Sequence, residues 1–208
     1  LCNLFHEFPS RLGNLHSIPV SEEWYLIVVN RWNEIPEDYR VELTELSNGQ
    51  KVDSRIYPYL QEMFDAAAKK DRIYPVVREG YRTYDEQQKI LDDKVKAYIN
   101  EGYSQSRAER TAKEWVALPG TSEHQLGIAV DINADKSKSS NDEVYTWLAA
   151  NAHNYGFILR YPQGKQEITG TSYEPWHYRY VGVDAARFDF PSFSFFKINL
   201  YIMAVLST

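Results

Sequence analysis

Residues 122–131 read Ser122-Glu123-His124-Gln125-Leu126-Gly127-Ile128-Ala129-Val130-Asp131, and the second half of that run decides the fold. Residues 128–132 form a short apolar stretch with one carboxylate set into it, which predicts a buried strand. Side chains alternate along a strand, so Gly127, Ala129 and Asp131 are expected on one face. Two of the three are small, which leaves space beside the Asp131 carboxylate for an ion and a substrate. His124, in the loop before the strand, would reach the same space with a neutral imidazole nitrogen, at the ~2.0–2.1 Å that zinc takes from histidine.

Working outward, residues 25–29 are β-branched and aromatic and predict a strand, and residues 41–46 predict a second. Ile56, Leu60, Met63, Phe64 and Ala67 recur at helical spacing, with Pro58 tolerated in the first turn. Thr83 and Glu86 make a capping-box pattern for a helix with Ile90, Leu91, Val95 and Tyr98 as its stripe, ending at Gly102. Ser106 and Glu109 repeat the pattern for a third helix, stopped by Pro119-Gly120. Downstream, Asn141 predicts the cap of a helix through Val144, Trp147, Leu148 and Tyr155, with Gly156 in the left-handed position after it. Residues 157–159 and 176–181 predict two more strands, and the polar residues 135–140 an exposed loop. Helices in the first half and strands in the second imply an α+β domain: a small, mainly antiparallel sheet with helices packed against it.

With 208 residues, 43% of them hydrophobic, the chain can bury one substantial core. The expected organisation is an irregular segment over residues 1–23, one domain over 24–187 and an aromatic, nearly uncharged tail over 188–208. A net charge of −6 speaks against a nucleic-acid partner, whose affinity would come from clustered Lys and Arg. Cys2 is the single cysteine, so an intramolecular disulfide and a thiolate zinc cluster are both excluded. A metal would rest on His and carboxylate ligands. No secretory signal is legible, and the apolar stretch of residues 190–206, interrupted by Lys197 and Asn199, falls short of the ~20 residues of a spanning helix. Nothing predicts a coiled coil or an obligate interface, so a monomer is expected.

Two further motifs carry chemistry. Glu174-Pro175-Trp176-His177 offers the third protein ligand of a catalytic zinc through His177, with the fourth position left to water. Glu174 beside it can take a proton from that water. Pro175 biases Glu174 to an extended backbone, and Trp176 is expected to face away from His177 into the core. In Gly80-Tyr81-Arg82-Thr83-Tyr84-Asp85-Glu86-Gln87, the Arg82 fork could bind a peptide carboxylate or a developing oxyanion, and Gln87 could hydrogen-bond the same peptide. The plainer reading of Arg82 is a surface ion pair with Asp85 or Glu86. Ser122 could equally cap a turn, and Gln87 could lie on a helix surface. His153, near a helix end, is read as a structural imidazolium favoured by the helix dipole.

Taken together, S-x-H-x-x-G-x-A-x-D over residues 122–131, E-x-W-H over residues 174–177 and the preceding G-Y-R-T-Y-x-x-Q resemble the VanY-type D-alanyl-D-alanine carboxypeptidases. Related L,D-carboxypeptidases belong to the same group of zinc peptidases with a hedgehog-like α+β fold. The likeness covers residues 24–187. It implies one zinc ion on His124, Asp131 and His177, Glu174 as general base, Arg82 as a catalytic and substrate-contacting residue, and Gln87 and Ser122 lining the pocket. It further implies hydrolysis of the terminal D-Ala-D-Ala bond of peptidoglycan stem peptides, in a bacterial cell envelope or outside the cytoplasm. Cleavage of an L,D bond in a tetrapeptide stem is the alternative, and a non-catalytic zinc-containing binding module a more distant one. The tail from residue 188 departs from the family, which continues there with a polar helix. It is expected to lie outside the catalytic centre.

Overall fold

The computed structural model describes residues 24–189. The expected irregular segment lies outside the described residues, as does the expected tail apart from residues 188–189, which end the last described helix. A 3-10 turn, Trp24–Leu26, leads to a hairpin of β1 (Leu43–Glu45) and β2 (Lys51–Asp53). Then follow α1 (Tyr57–Ala66), a π turn (Ala67–Asp71), β3 (Pro75–Glu79), α2 (Tyr84–Asn100) and α3 (Gln105–Ala112). A 3-10 turn, Glu123–Leu126, precedes β4 (Ala129–Ala134), and α4 (Asn141–Asn151) runs into another 3-10 turn, Ala152–Tyr155. β5 (Phe157–Leu159), the short α5 (Gln166–Thr169), β6 (His177–Tyr180) and α6 (Val183–Asp189) complete the order.

The main sheet has the order β3-β4-β6-β5, with every pairing antiparallel. The α+β class is therefore as the sequence predicts. The expected segregation is not, because β1, β2 and β3 all precede residue 80 and α4 to α6 follow β4.

The sheet has two unlike faces. Val130, Ile132, Tyr178 and Tyr180 point to one side, where they bury against Ile56, Leu60 and Met63 around α1 and Val144, Trp147 and Leu148 of α4. Each such side chain removed from water contributes about 1.5–3 kcal/mol, and this face is the core. The opposite face carries Ala129 and Asp131 of β4 beside His177 and Arg179 of β6. Period-two alternation thus sorts apolar residues to the core and ionisable ones to a separate, covered face.

Local departures from the sequence reading have identifiable causes. The strand expected over residues 25–29 is a 3-10 turn followed by irregular chain. The carbonyls of Tyr25 and Ile27 accept from the Arg179 guanidinium instead of from a neighbouring strand. Trp24 lies under the Arg55 guanidinium, 3.6 Å from its ring centre, and stacks on Tyr180. α3 starts after Ser104 rather than Ser106 and already ends at Ala112; Glu109 accepts from Gln105 within the helix instead of closing a capping box. At α4 the cap is Ser140, which forms the capping box with Glu143, while Asn141 accepts from the Ala134 backbone N–H. Thr83 and Glu86 do form the box that opens α2, and Gly156 does take the left-handed conformation. In the stripe expected along α2, Leu91 is buried but Ile90, Val95 and Tyr98 are only half-buried, and Gln87 is the second buried residue.

Candidate metal centre

Asp131 and His177 are Cα partners in the β4–β6 ladder, so their side chains rise together from the same face. His177 Nδ1 stands 2.9 Å from Asp131 Oδ1. His124 enters from the 3-10 turn just before β4. Gly127 ends that turn with φ +74°, so it is not part of the strand as expected, and only Ala129 and Asp131 share the strand face. A side chain on Gly127 would press on the Asp53 backbone and Val41, so the left-handed turn and the close packing both call for glycine.

His124 is oriented from the end of β3, which flanks β4 on the edge away from β6. β3 and β4 lose register between Val77 and Glu79, which sets Glu79 opposite Asp131 and brings Gly80 to the site. His124 Nδ1 donates to the Gly80 carbonyl at 2.8 Å, which fixes its tautomer and leaves Nε2 facing Asp131 Oδ1 at 3.4 Å. The Arg82 backbone N–H donates to the His124 carbonyl at 3.2 Å. Ligand atoms of His124, Asp131 and His177 all lie within 4.8 Å of one another.

Electrostatics agree with a cation at this point. Burial opposes charge on Asp131, but the two imidazoles outweigh it and hold the carboxyl well below its ordinary range. Burial lowers His124 against the pull of Asp131, which favours the neutral ligand form. Burial also works against charge on His177, yet the hydrogen bond to Asp131 and the facing Glu123 carboxylate prevail and lift it to about 9. Two imidazole nitrogens aimed at one carboxylate oxygen form an N/O donor set of the kind that zinc takes, and the residues fit that ion.

Glu174 sits beside this trio, with Oε2 3.8 Å from His177 Nδ1. The turn through Pro175 is closed by the His177 N–H donating to the Glu174 carbonyl, and the Glu174 N–H donates to Tyr161. Burial, opposed by His177 and reinforced by Asp131, pushes the Glu174 carboxyl up to about 7. Trp176, expected in the core, is half-buried and lines the site cavity instead. It precedes β6, so strand alternation does not govern it.

Arg82 bridges the centre and α2. Its guanidinium donates to Asp131 Oδ2 at 3.2 Å, to Gln87 Oε1 at 3.3 Å and to Glu79 Oε2 at 3.4 Å. Neither Asp85 nor Glu86 is its partner in these bonds, since Glu86 is engaged by Thr83. Gln87 is buried rather than on the helix surface, and its amide donates to the Ala117 carbonyl. Ser122, Arg82, Gln87, His124, Asp131, Glu174 and His177 all line one cavity of about 110 Å³. All seven residues singled out in the sequence are thus brought together.

The sequence reading missed four neighbours. Glu123 is 2% exposed, and its Oε1 accepts from Arg160 Nε at 2.5 Å and Arg179 at 2.7 Å. Burial raises this carboxyl, but the two guanidiniums hold it well below the usual range. Tyr161 packs its ring 4.8 Å from that of His177. A signal existed for Glu123, which is charged and sits next to the candidate ligand His124; its arginine partners come from distant segments. His153 differs from the expected imidazolium: burial and Arg187 lower its pKa, which favours the neutral ring.

Comparison with known proteins gives the same direction. The VanY family model, described as D-alanyl-D-alanine carboxypeptidase, matches residues 49–183. A D-alanyl-D-alanine carboxypeptidase of Enterococcus faecalis (strain ATCC 700802 / V583) is 59% identical over 165 residues, covering 79% of this chain and 61% of its relative. The chain thus spans about three fifths of that relative's length. Among solved structures, a mutant of the vancomycin resistance D,D-pentapeptidase VanY in complex with Zn(II) is 58% identical, with a TM-score of 0.78, covering 80% of this chain and 93% of the other. VanYB in complex with D-alanine-D-alanine is 53% identical, with a TM-score of 0.79 over 89% of this chain and 99% of the other. With well over half of its length matched by the family model and all three motifs lining one cavity, the chain belongs to the VanY family of D-alanyl-D-alanine carboxypeptidases.

Proposed function

We propose that this chain is a zinc-dependent D,D-carboxypeptidase that hydrolyses the terminal D-Ala-D-Ala bond of peptidoglycan stem peptides. The observation that carries the reading is the convergence of His124, Asp131 and His177 with Glu174 and Arg82 on one small cavity. His124 Nε2, Asp131 and His177 Nδ1 would hold the ion. Bound there, zinc supplies Lewis acidity, polarising a carbonyl and acidifying water.

The chain's own side chains divide the remaining work. Glu174 Oε2, next to the ligands but not needed among them, takes a proton from water and returns it to the leaving amine. Arg82 presents a fixed fork at the cavity wall, suited to a peptide C-terminal carboxylate or to the oxyanion that forms as the amide is attacked. Gln87 holds that fork from behind, and Ser122 adds a polar group to the lining. Ile90, Trp115, Val116 and Ala117 narrow the cavity and favour a small terminal residue.

Action outside the cytoplasm or in the cell envelope fits such a substrate. Among the described residues no helix is long and apolar enough to cross a membrane. The two solved relatives described above, a D,D-pentapeptidase and a D-alanine-D-alanine complex, support the D,D reading over the L,D one. Incubating zinc-loaded protein with a stem pentapeptide ending in D-Ala-D-Ala and with the corresponding tetrapeptide, then weighing the products, tests it. Loss of one alanine from the pentapeptide supports the proposal. Cleavage of the tetrapeptide alone identifies an L,D enzyme, and no cleavage of either points to a binding module.

A further inference from the structure

We infer that Glu123 is a positioning residue of the metal centre: its carboxylate fixes the proton of His177 on Nε2 and so leaves Nδ1 for the ion. The inference rests on the zinc reading above. His177 lies between carboxylates on both edges of its ring, with Nδ1 facing Asp131 at 2.9 Å and Glu174 at 3.8 Å. On the far edge, Nε2 faces Glu123 Oε2 at 3.7 Å. Neither of these two buried atoms has a hydrogen-bond partner among the described residues, so each is the other's available complement.

An imidazole that ligates a metal offers a lone pair at one nitrogen and keeps N–H at the other, and the group facing that N–H selects the tautomer. Ionised Glu123 can only accept. Its ionisation is secured because Oε1 is shared by Arg160 and Arg179, deep in the protein. The same arginines prevent Glu123 from turning away. Tyr161 covers the assembly, its ring 4.8 Å from His177 and 5.1 Å from the Arg160 guanidinium carbon.

This arrangement makes Glu123→Gln an informative change. The amide oxygen would stay with the two guanidiniums, because an amide N–H there would be repelled. The amide N–H₂ would then face His177 Nε2, which would have to accept, moving the proton to Nδ1 and blocking the ligand atom.

The test uses zinc as the probe. Zinc content of the wild-type chain is measured first, then affinity of wild type and E123Q by competition with a chromophoric chelator. Ring ¹H–¹⁵N correlation spectra of zinc-loaded wild-type protein identify the coordinating nitrogen of His177. Expected are coordination through Nδ1 with a protonated Nε2, and zinc binding at least about tenfold weaker in folded E123Q, as for other outer carboxylates. Coordination through Nε2, or wild-type affinity in folded E123Q, overturns the inference while leaving the zinc reading intact. Absence of stoichiometric zinc from wild type overturns both. If E123Q does not fold, the wild-type nitrogen assignment decides alone.

Discussion

Asp131 on β4 and His177 on β6 are cross-strand partners whose side chains meet at 2.9 Å, so the strand register itself builds two thirds of the metal site. A slip of one residue would turn one of them into the apolar core. His177→Ala should therefore bind no stoichiometric zinc while retaining the fold. Native mass spectrometry with circular dichroism reads both, and full occupancy in that variant would exclude the proposed ligand set.

Glu174 is placed beside the ligands without being required among them. Glu174→Ala should keep its zinc and lose turnover by about 10²–10⁴-fold, the usual contribution of a general base. Pentapeptide cleavage followed by metal analysis checks this, and an active variant would remove Glu174 from the role.

Arg82 reaches Asp131, Gln87 and Glu79 with a planar fork, a geometry that lysine cannot reproduce. Arg82→Lys should lower kcat/KM by about 10–100-fold, from the roughly 1.5–3 kcal/mol of a hydrogen bond to a charged group. Zinc content should be unchanged. Steady-state kinetics on the pentapeptide decide, and wild-type kcat/KM in R82K would return Arg82 to a purely structural ion pair.

Gly80 runs so close to β2 that an added Cβ would overlap the Lys51 carbonyl oxygen. Its own carbonyl receives the His124 Nδ1–H. Gly80→Ala must displace the backbone that orients this ligand. We expect about 1–3 kcal/mol lower stability, as for overpacking, together with zinc binding weakened by at least about tenfold. Denaturant unfolding and chelator competition measure the two effects, and unaltered zinc affinity would show that Gly80 does not orient His124.

Acid stability has a local contribution at two helix starts. The backbone N–H of Thr83 holds Glu86, and that of Ser140 holds Glu143, below the ordinary carboxylate range, with the capping hydroxyls adding to the effect. Because the folded pKa is the lower one, this stabilisation is complete above the unfolded value of about 4.3 and is lost as pH falls through the folded value. Wild type should melt above an E86Q/E143Q double variant at pH 7, with the difference closing as pH falls below about 4. A difference that does not narrow at all as the pH falls below about 4 would contradict the assignment.

Much of the site was legible because its chemistry is local. His124 and Asp131 lie within one decapeptide, Glu174 and His177 within one turn, and the alternation of β4 already placed Asp131 on a face apart from Val130 and Ile132. Helix starts were legible where a hydroxyl and a glutamate stand three apart, as at Thr83, and misread where two polar residues compete for the cap, as with Ser140 and Asn141. The lost strand over residues 25–29 had the right composition for a ladder, but Arg179, more than 150 residues away, took its carbonyls.

Sequence alone thus determined which groups could bind a cation and which could move a proton, since donor type and short-range spacing are written in the chain. Tertiary structure alone decided which ring nitrogen each histidine turns inward, that Arg82 leans on Asp131 rather than Asp85, and that Glu123 is buried between two arginines. Those outcomes depend on the register of β4 against β6 and on a bulge in β3, which bring together residues whose separation in the chain carries no information about their contact.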